Sequence, residues 1–259
     1  MPTLLFARRR RGAIAPLILA IAMLSAACDS TPPQPQERLA RHSAPPADTA
    51  PRIDGVGDEP AWNAATWYPL DQRWLGDPYE PADFQGRFKL LWTPDSLYLL
   101  AEIVDDTLID IQPDPAVFYW DDDCLEIFVD ADHSGGDHQY SHNAFAYHIA
   151  LDGAVMDMTP ERVPGRYDHH LRSSRTARGD TSVWEVALAV FDDSYRDDAD
   201  SNRPITLEAG QRIGFALAYC DNDSSEVREN FIGSVPVPGE DKNRGWIDAG
   251  IFGTLILDH

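Results

Sequence analysis

From Phe84 onward the chain reads as one short strand after another, each closed by turn chemistry, and no stretch sustains a helical period beyond a turn or two. Phe84–Trp92 and Leu97–Val104 are apolar, aromatic-rich runs on either side of Thr93-Pro94-Asp95-Ser96, which predicts a hairpin. Cys124–Asp130 alternates, with Leu125, Ile127 and Val129 on one face and Cys124, Glu126 and Phe128 on the other. Ala144–Leu151 runs into the turn pair Asp152-Gly153 and returns as Ala154–Met158. His170–Arg178 and Ser182–Val190 flank Gly179-Asp180, and Gln211–Cys220 and Ile251–Asp258 follow. The 20 Pro and 17 Gly are scattered rather than periodic, as turns between strands require. These features predict an all-β fold, an antiparallel, jelly-roll-like β-sandwich of about eight to ten strands.

The N-terminal residues read differently. Arg8–Arg11 precede a largely apolar run from Ala13 to Leu24, which is short for a membrane span and ends in Leu24-Ser25-Ala26-Ala27-Cys28. A basic segment, an apolar core and small residues before a cut site describe an export signal over residues 1–27. The last five residues resemble a bacterial lipobox, which implies lipidation of Cys28, a membrane partner through that lipid and a location at the cell envelope. Ser25 stands where that motif prefers Leu. Ordinary secretion is the alternative. Residues 28–51 are rich in Pro, Ala, Ser and Gln and predict a semi-extended tether. The folded unit is then expected to be a single domain over 52–259.

Charge narrows the partners. With 43 Asp and Glu against 21 Lys and Arg, the formal net charge is −22, and a phosphate backbone would be repelled. Nucleic acid is therefore not expected. No nucleophile elbow, zinc-protease helix or phosphate-cradling glycine loop occurs, and acidic pairs are too common here to single out a glycosidase dyad. The expectation is a binding module and not an enzyme.

Ile53-Asp54-Gly55-Val56-Gly57-Asp58-Glu59-Pro60-Ala61-Trp62 resembles the opening of the family 9 carbohydrate-binding modules. The hairpin containing Leu97-Tyr98, the Trp120–Asp130 block and the closing Phe252-Gly253-Thr254-Leu255 follow in that family's order. The resemblance covers essentially 52–258. It implies a sandwich that binds the ends of mono- or oligosaccharides, with calcium as a structural cofactor and no organic cofactor. It also implies a sugar held between two tryptophans, which correspond to Trp120 and Trp246, with Glu126 and Asn243 as polar partners. A family Arg corresponds to His148 and a family Gln to Ala218, so ligand choice is expected to differ. A ring needs aromatic faces for its C–H patches and fixed polar groups for its hydroxyls, and these residues supply both. The alternative for the two tryptophans is core packing, as expected for Trp62, Trp67, Trp92 and Trp184.

Asp130, Asp132 and Ser134 place oxygens at alternate positions before Gly135-Gly136, where the chain must turn, and Asp137 follows, either the first half of a calcium loop or a solvated acidic turn. His133, His138 and His142 lack the tight spacing of a zinc site. Cys124 and Cys220 fall on predicted strands and are either a disulfide or two buried thiols. Two other functions stay open from sequence: a haem-binding sandwich using His148 with Met156 or Met158, and a structural or assembly module of a surface complex.

Overall fold

The computed structural model describes residues 40–112 and 114–259. The signal segment, Cys28 and the first part of the tether lie outside the described residues. Among the described residues no helix is long and apolar enough to cross a membrane.

Two sheets stack face to face. The larger contains β1 (Arg41–Ala44), β14 (Gly253–Leu257), β12 (Arg212–Asp221), β6 (Cys124–Asp130), β7 (Phe145–Ala150), β8 (Val155–Met158) and β9 (Pro164–Arg166) in that spatial order. β13 (Asn230–Gly233) also pairs with β12, and β3 (Gln72–Leu75) pairs with β13. The smaller sheet runs β10 (Leu171–Arg178), β11 (Thr181–Leu188), β5 (Ser96–Asp105), β4 (Phe84–Thr93) and β2 (Tyr68–Leu70). All pairings are antiparallel except β1 with β14. The expected sandwich is therefore present, with more strands than the estimate. Every run read from the sequence forms a strand. The additional β1, β2, β3, β9 and β13 are three or four residues long, too short to display an alternation.

Period-2 alternation decides what each face carries. Leu125, Ile127 and Val129 of β6, with Phe145, Tyr147 and Ile149 of β7, point between the sheets toward Phe88, Leu99 and Trp184 of the smaller sheet. The opposite face of the larger sheet is also covered. There Cys124, Phe128, Ala146 and Ala218 pack beneath Trp74, Phe231 and Phe252, so β6 is buried at every position. Trp62, Trp92 and Trp184 are buried as expected, whereas Trp67 is half-buried with the Arg87 guanidinium 4.2 Å from its ring.

The opening motif is a structural clip. Glu185 of β11 is fully buried; its Oε2 accepts from the backbone N–H groups of Asp54 (3.1 Å), Gly55 (2.8 Å) and Val56 (3.3 Å), and its Oε1 accepts from Trp62 Nε1 (3.1 Å). Gly55 sits at φ +77°, where a Cβ would also press on the backbone of Arg175 and Thr176 at 3.0 Å.

Part of the segment expected as tether is folded. Arg41–Ala44 joins the larger sheet, and the next residues cross to the smaller one, where Trp92 N–H donates to Pro45 O (3.1 Å) and Ala47 N–H donates to Trp92 O (2.8 Å). His42 holds the crossing. Its ring is buried among Tyr68, Phe88 and Phe215 at centroid distances of 4.8, 5.3 and 5.9 Å. A histidine between proline-rich flanks gives no apolar signal, which is why this strand reads as linker.

Candidate functional site

The face of the larger sheet turned away from the smaller one carries a row that crosses five strands: Gly233, Ala218, Glu126, His148 and Met156 are neighbours in register. On one side of Glu126 the row is closed over by the Trp74 indole, which fills the space above Gly233. Glu126 and His148, 2% and 7% exposed, form the floor of a cavity of about 340 Å³. The predicted Trp120, Trp246, Glu126, Asn243 and His148 all line this one cavity, joined by Tyr119, Tyr140 and Arg228. Its size suits a small ligand.

The loop carrying Trp120 is fixed by the acidic residues that follow it. Asp122 accepts from the backbone N–H groups of Ile111 (3.2 Å) and Gln112 (2.9 Å), and Asp123 Oδ1 accepts from Asn222 N–H (2.8 Å). Trp120 is half-buried, edge-on to Tyr119 at 4.9 Å and to Phe118 at 5.9 Å. Trp246 lies in a turn closed by the N–H groups of Ile247 and Asp248 on Arg244 O. That turn rests on the sheet at Gly245, where a Cβ would meet the Phe128 ring at 2.8 Å. It is held from the side by His138, whose Nε2 lies 2.7 Å from Gly245 O.

The polar floor is cross-linked. His148 Nε2 is 3.2 Å from Glu126 Oε2. Burial lowers the His148 pKa, but the facing Glu126 charge outweighs it and the net shift is upward. Arg228 donates from Nη1 to Cys220 Sγ (3.1 Å) and from Nη2 to Asn243 Oδ1 (3.1 Å), which leaves the amide NH₂ as the donor group of Asn243. Asp157, next to the pocket wall, is pushed up to about 7 by burial, although it accepts from the Ala146 and Met158 backbone N–H groups. Arg228 was not legible from sequence: it stands in a polar, aperiodic stretch. Tyr140 sits in a turn with the Arg162 guanidinium 4.6 Å above its ring, again without a pattern to mark it.

The carboxylates of the expected calcium loop each close a turn on the backbone. Asp130 Oδ2 accepts from Gly135 N–H (2.7 Å), Asp132 Oδ1 from Ser134 N–H (3.0 Å) and Asp137 Oδ1 from Gln139 N–H (3.0 Å). These are self-closing turns, and the segment braces the Trp246 loop: Ala249 N–H donates to Gly136 O (2.8 Å) and Asp137 bridges Asp248. Among the described residues, the carboxylates that converge within 4.8 Å of one another are Asp105, Asp123 and Asp221, all buried, and Asp83, Asp106 and Asp223 beside them. Burial and the nearby Asp105 charge push Asp123 up to about 9 and Asp221 up to about 8. Three buried carboxylates cannot all ionise without a counter-charge, and an all-oxygen donor set suits a hard cation. This trio fits the calcium that the resemblance implies, and in the Asp130–Asp137 turn Asp130 Oδ1 is buried without a hydrogen-bond partner. His133, His138 and His142 have separate partners, Thr254, Gly245 and Asp197. Cys124 and Cys220 are buried free thiols directly opposite each other across β6 and β12.

No curated protein sequence matches the chain. Among solved structures it is similar to a family 9 carbohydrate-binding module from Caldicellulosiruptor kristjanssonii. In complex with cellotriose, that module matches at 19% identity and a TM-score of 0.61, covering 85% of this chain and 94% of that one. In complex with glucose it matches at 18% identity and the same TM-score, covering 85% and 96%. At these identities the likeness establishes the sandwich fold. Residues 53–259 match the family described as carbohydrate family 9 binding domain-like. By that match the chain belongs to the family 9 carbohydrate-binding domains.

Proposed function

We propose that this chain is a non-catalytic carbohydrate-binding module of an envelope lipoprotein, holding a sugar ring against Trp120 and Trp246. The observation that carries this reading is the meeting, in one small cavity, of two half-buried indoles with the polar Glu126, His148 and Asn243. Indole faces cover the C–H patches of a pyranose, and the polar groups serve its hydroxyls. The related module was solved with cellotriose and with glucose, which makes gluco-configured sugars the first to try. Lipidation at Cys28 would hold the domain at a membrane, with the residues between Cys28 and Arg41 as its tether.

The test is titration calorimetry of the full chain with glucose and cellotriose, backed by an oligosaccharide array. Each indole contact should contribute on the order of 1 kcal/mol or more beyond area burial. Trp120→Ala and Trp246→Ala should each lower affinity about thirtyfold. Wild-type protein silent toward every sugar on the array overturns the reading. A Soret band on addition of haem to the same preparation would favour the haem-binding alternative. Calcium, in this reading, is held by Asp105, Asp123 and Asp221, where it neutralises their charge and ties the end of β12 to the segment that carries Trp120.

A further inference from the structure

The floor of the cavity carries a second arrangement, in which Glu126 and His148 meet a thiol that the sugar reading does not use. Glu126, His148 and Cys220, all buried, bring a carboxylate oxygen, an imidazole nitrogen and a thiol sulfur within 4.8 Å of one another. His148 Nδ1 lies 3.1 Å from Ala146 O, and a backbone carbonyl can only accept, so Nδ1 carries the hydrogen. Nε2 faces Glu126 Oε2, 3.2 Å away, as in an ion pair, and both residues are buried. A buried ring nitrogen and carboxylate oxygen this close need a positive charge between them, held as a proton on Nε2 or as a metal ion that displaces it. Cys220 Sγ stands next to them and is held by the Arg228 guanidinium at 3.1 Å, the kind of N–H to sulfur contact that supports a thiolate ligand.

We propose that Glu126, His148 and Cys220 form a binding site for a thiophilic divalent cation of the zinc class at the floor of the cavity. One sulfur, one nitrogen and one oxygen are a donor set for such an ion and not for calcium or magnesium, which take oxygen alone. Binding breaks the Cys220 S–H and His148 Nε2–H bonds, forms the sulfur–metal and nitrogen–metal bonds and releases both protons to solvent. Glu126 and His148 line the cavity, so a water or a ligand hydroxyl can complete the coordination from that side. The Nδ1 contact with Ala146 O is the outer partner that fixes the histidine. The site shares Glu126 and His148 with the sugar reading, but its test does not depend on that reading, because the metal is measured without sugar.

The experiment uses the full chain carrying Cys28→Ser, which leaves Cys124 and Cys220 as the remaining thiols of the three cysteines. The protein is reduced, stripped of metal and titrated with Co²⁺ and then with Zn²⁺. The expected result is one Co²⁺ per chain, with a near-ultraviolet sulfur-to-cobalt band that zinc bleaches. Cys220→Ser should abolish the band and weaken zinc binding by at least about a hundredfold, the upper end of what losing even an outer partner costs. Cys124→Ser should retain the band. His148→Gln should weaken zinc binding at least about tenfold, which keeps the test open if Cys220→Ser does not fold, as judged by near-ultraviolet dichroism. Absence of the band in the reduced, folded parent protein overturns the proposal, and so does a band that survives Cys220→Ser or is lost only with Cys124→Ser.

Discussion

Acidification should loosen this domain through one residue of the segment that composition assigns to the tether. His42 is buried between the sheets against Tyr68, Phe88 and Phe215, and its Nδ1 has no hydrogen-bond partner. Burial lowers its pKa from 6.5 to about 4. For a base whose folded pKa is depressed, the unfolded chain takes up the proton first. Its contribution to stability is therefore complete above pH 6.5 and is lost as pH falls toward 4. Linkage over that interval gives a loss of about 1.4 kcal/mol at pH 5.5 and about 3 kcal/mol at pH 4. The 43 carboxylates titrate in the same range, so the measurement has to be a difference. Urea unfolding of wild type and His42→Leu at pH 7, 5.5 and 4 supplies it. The free-energy gap between the two proteins should move by about 3 kcal/mol in favour of the leucine variant from pH 7 to pH 4. Parallel curves would refute the reasoning, since they would mean that His42 titrates alike in the folded and unfolded chain.

Other outcomes follow from the same geometry. Calcium at a hundredfold excess over its dissociation constant should stabilise by about 2.7 kcal/mol, or roughly 5–10 °C in melting temperature. Asp123→Asn should abolish that response and Asp132→Ala should keep it; the reverse pattern would return the ion to the predicted turn. Glu185→Ala strands the backbone N–H groups of Asp54, Gly55 and Val56 and the Trp62 indole, and should cost about 3 kcal/mol in chemical denaturation without altering sugar affinity in calorimetry. In Trp120→Ala and Trp246→Ala the melting temperature should fall far less than in a variant of the fully buried Trp184, because both cavity indoles remain half-exposed. Cys28→Ser should move the protein from the membrane fraction to the soluble or unprocessed fraction on cell fractionation.

How much of this was legible in the sequence depends on the range of each interaction. The alternation of β6 announces its two faces in seven residues, because side-chain direction along a strand is a local property. The same alternation sets Glu126 on the face away from Leu125 and Ile127, although only the structure shows that face to be roofed and the carboxylate to be buried. Motif order sufficed to name Trp120 and Trp246, and the fold brings both to one cavity with Glu126, His148 and Asn243. Arg228 could not be read this way, since its role rests on Cys220 and Asn243, which approach it only once the 221–243 connection has folded over the sheet. The Asp130–Asp137 turn is ambiguous for the opposite reason. Alternating oxygens can serve a cation or their own backbone N–H groups, and the local sequence is the same in both cases. Asp105 and Asp221 end β5 and β12 and Asp123 immediately precedes β6, so their shared burial is tertiary. The motif that resembles the family most plainly, Ile53–Trp62, ends up clipped to Glu185 on the outer face of the smaller sheet, while the cavity opens on the larger one. A motif held in place by a buried carboxylate accepting four N–H groups preserves the fold. In the proposed reading, what the site binds is set instead by Glu126 and His148 on the cavity floor, on the other sheet.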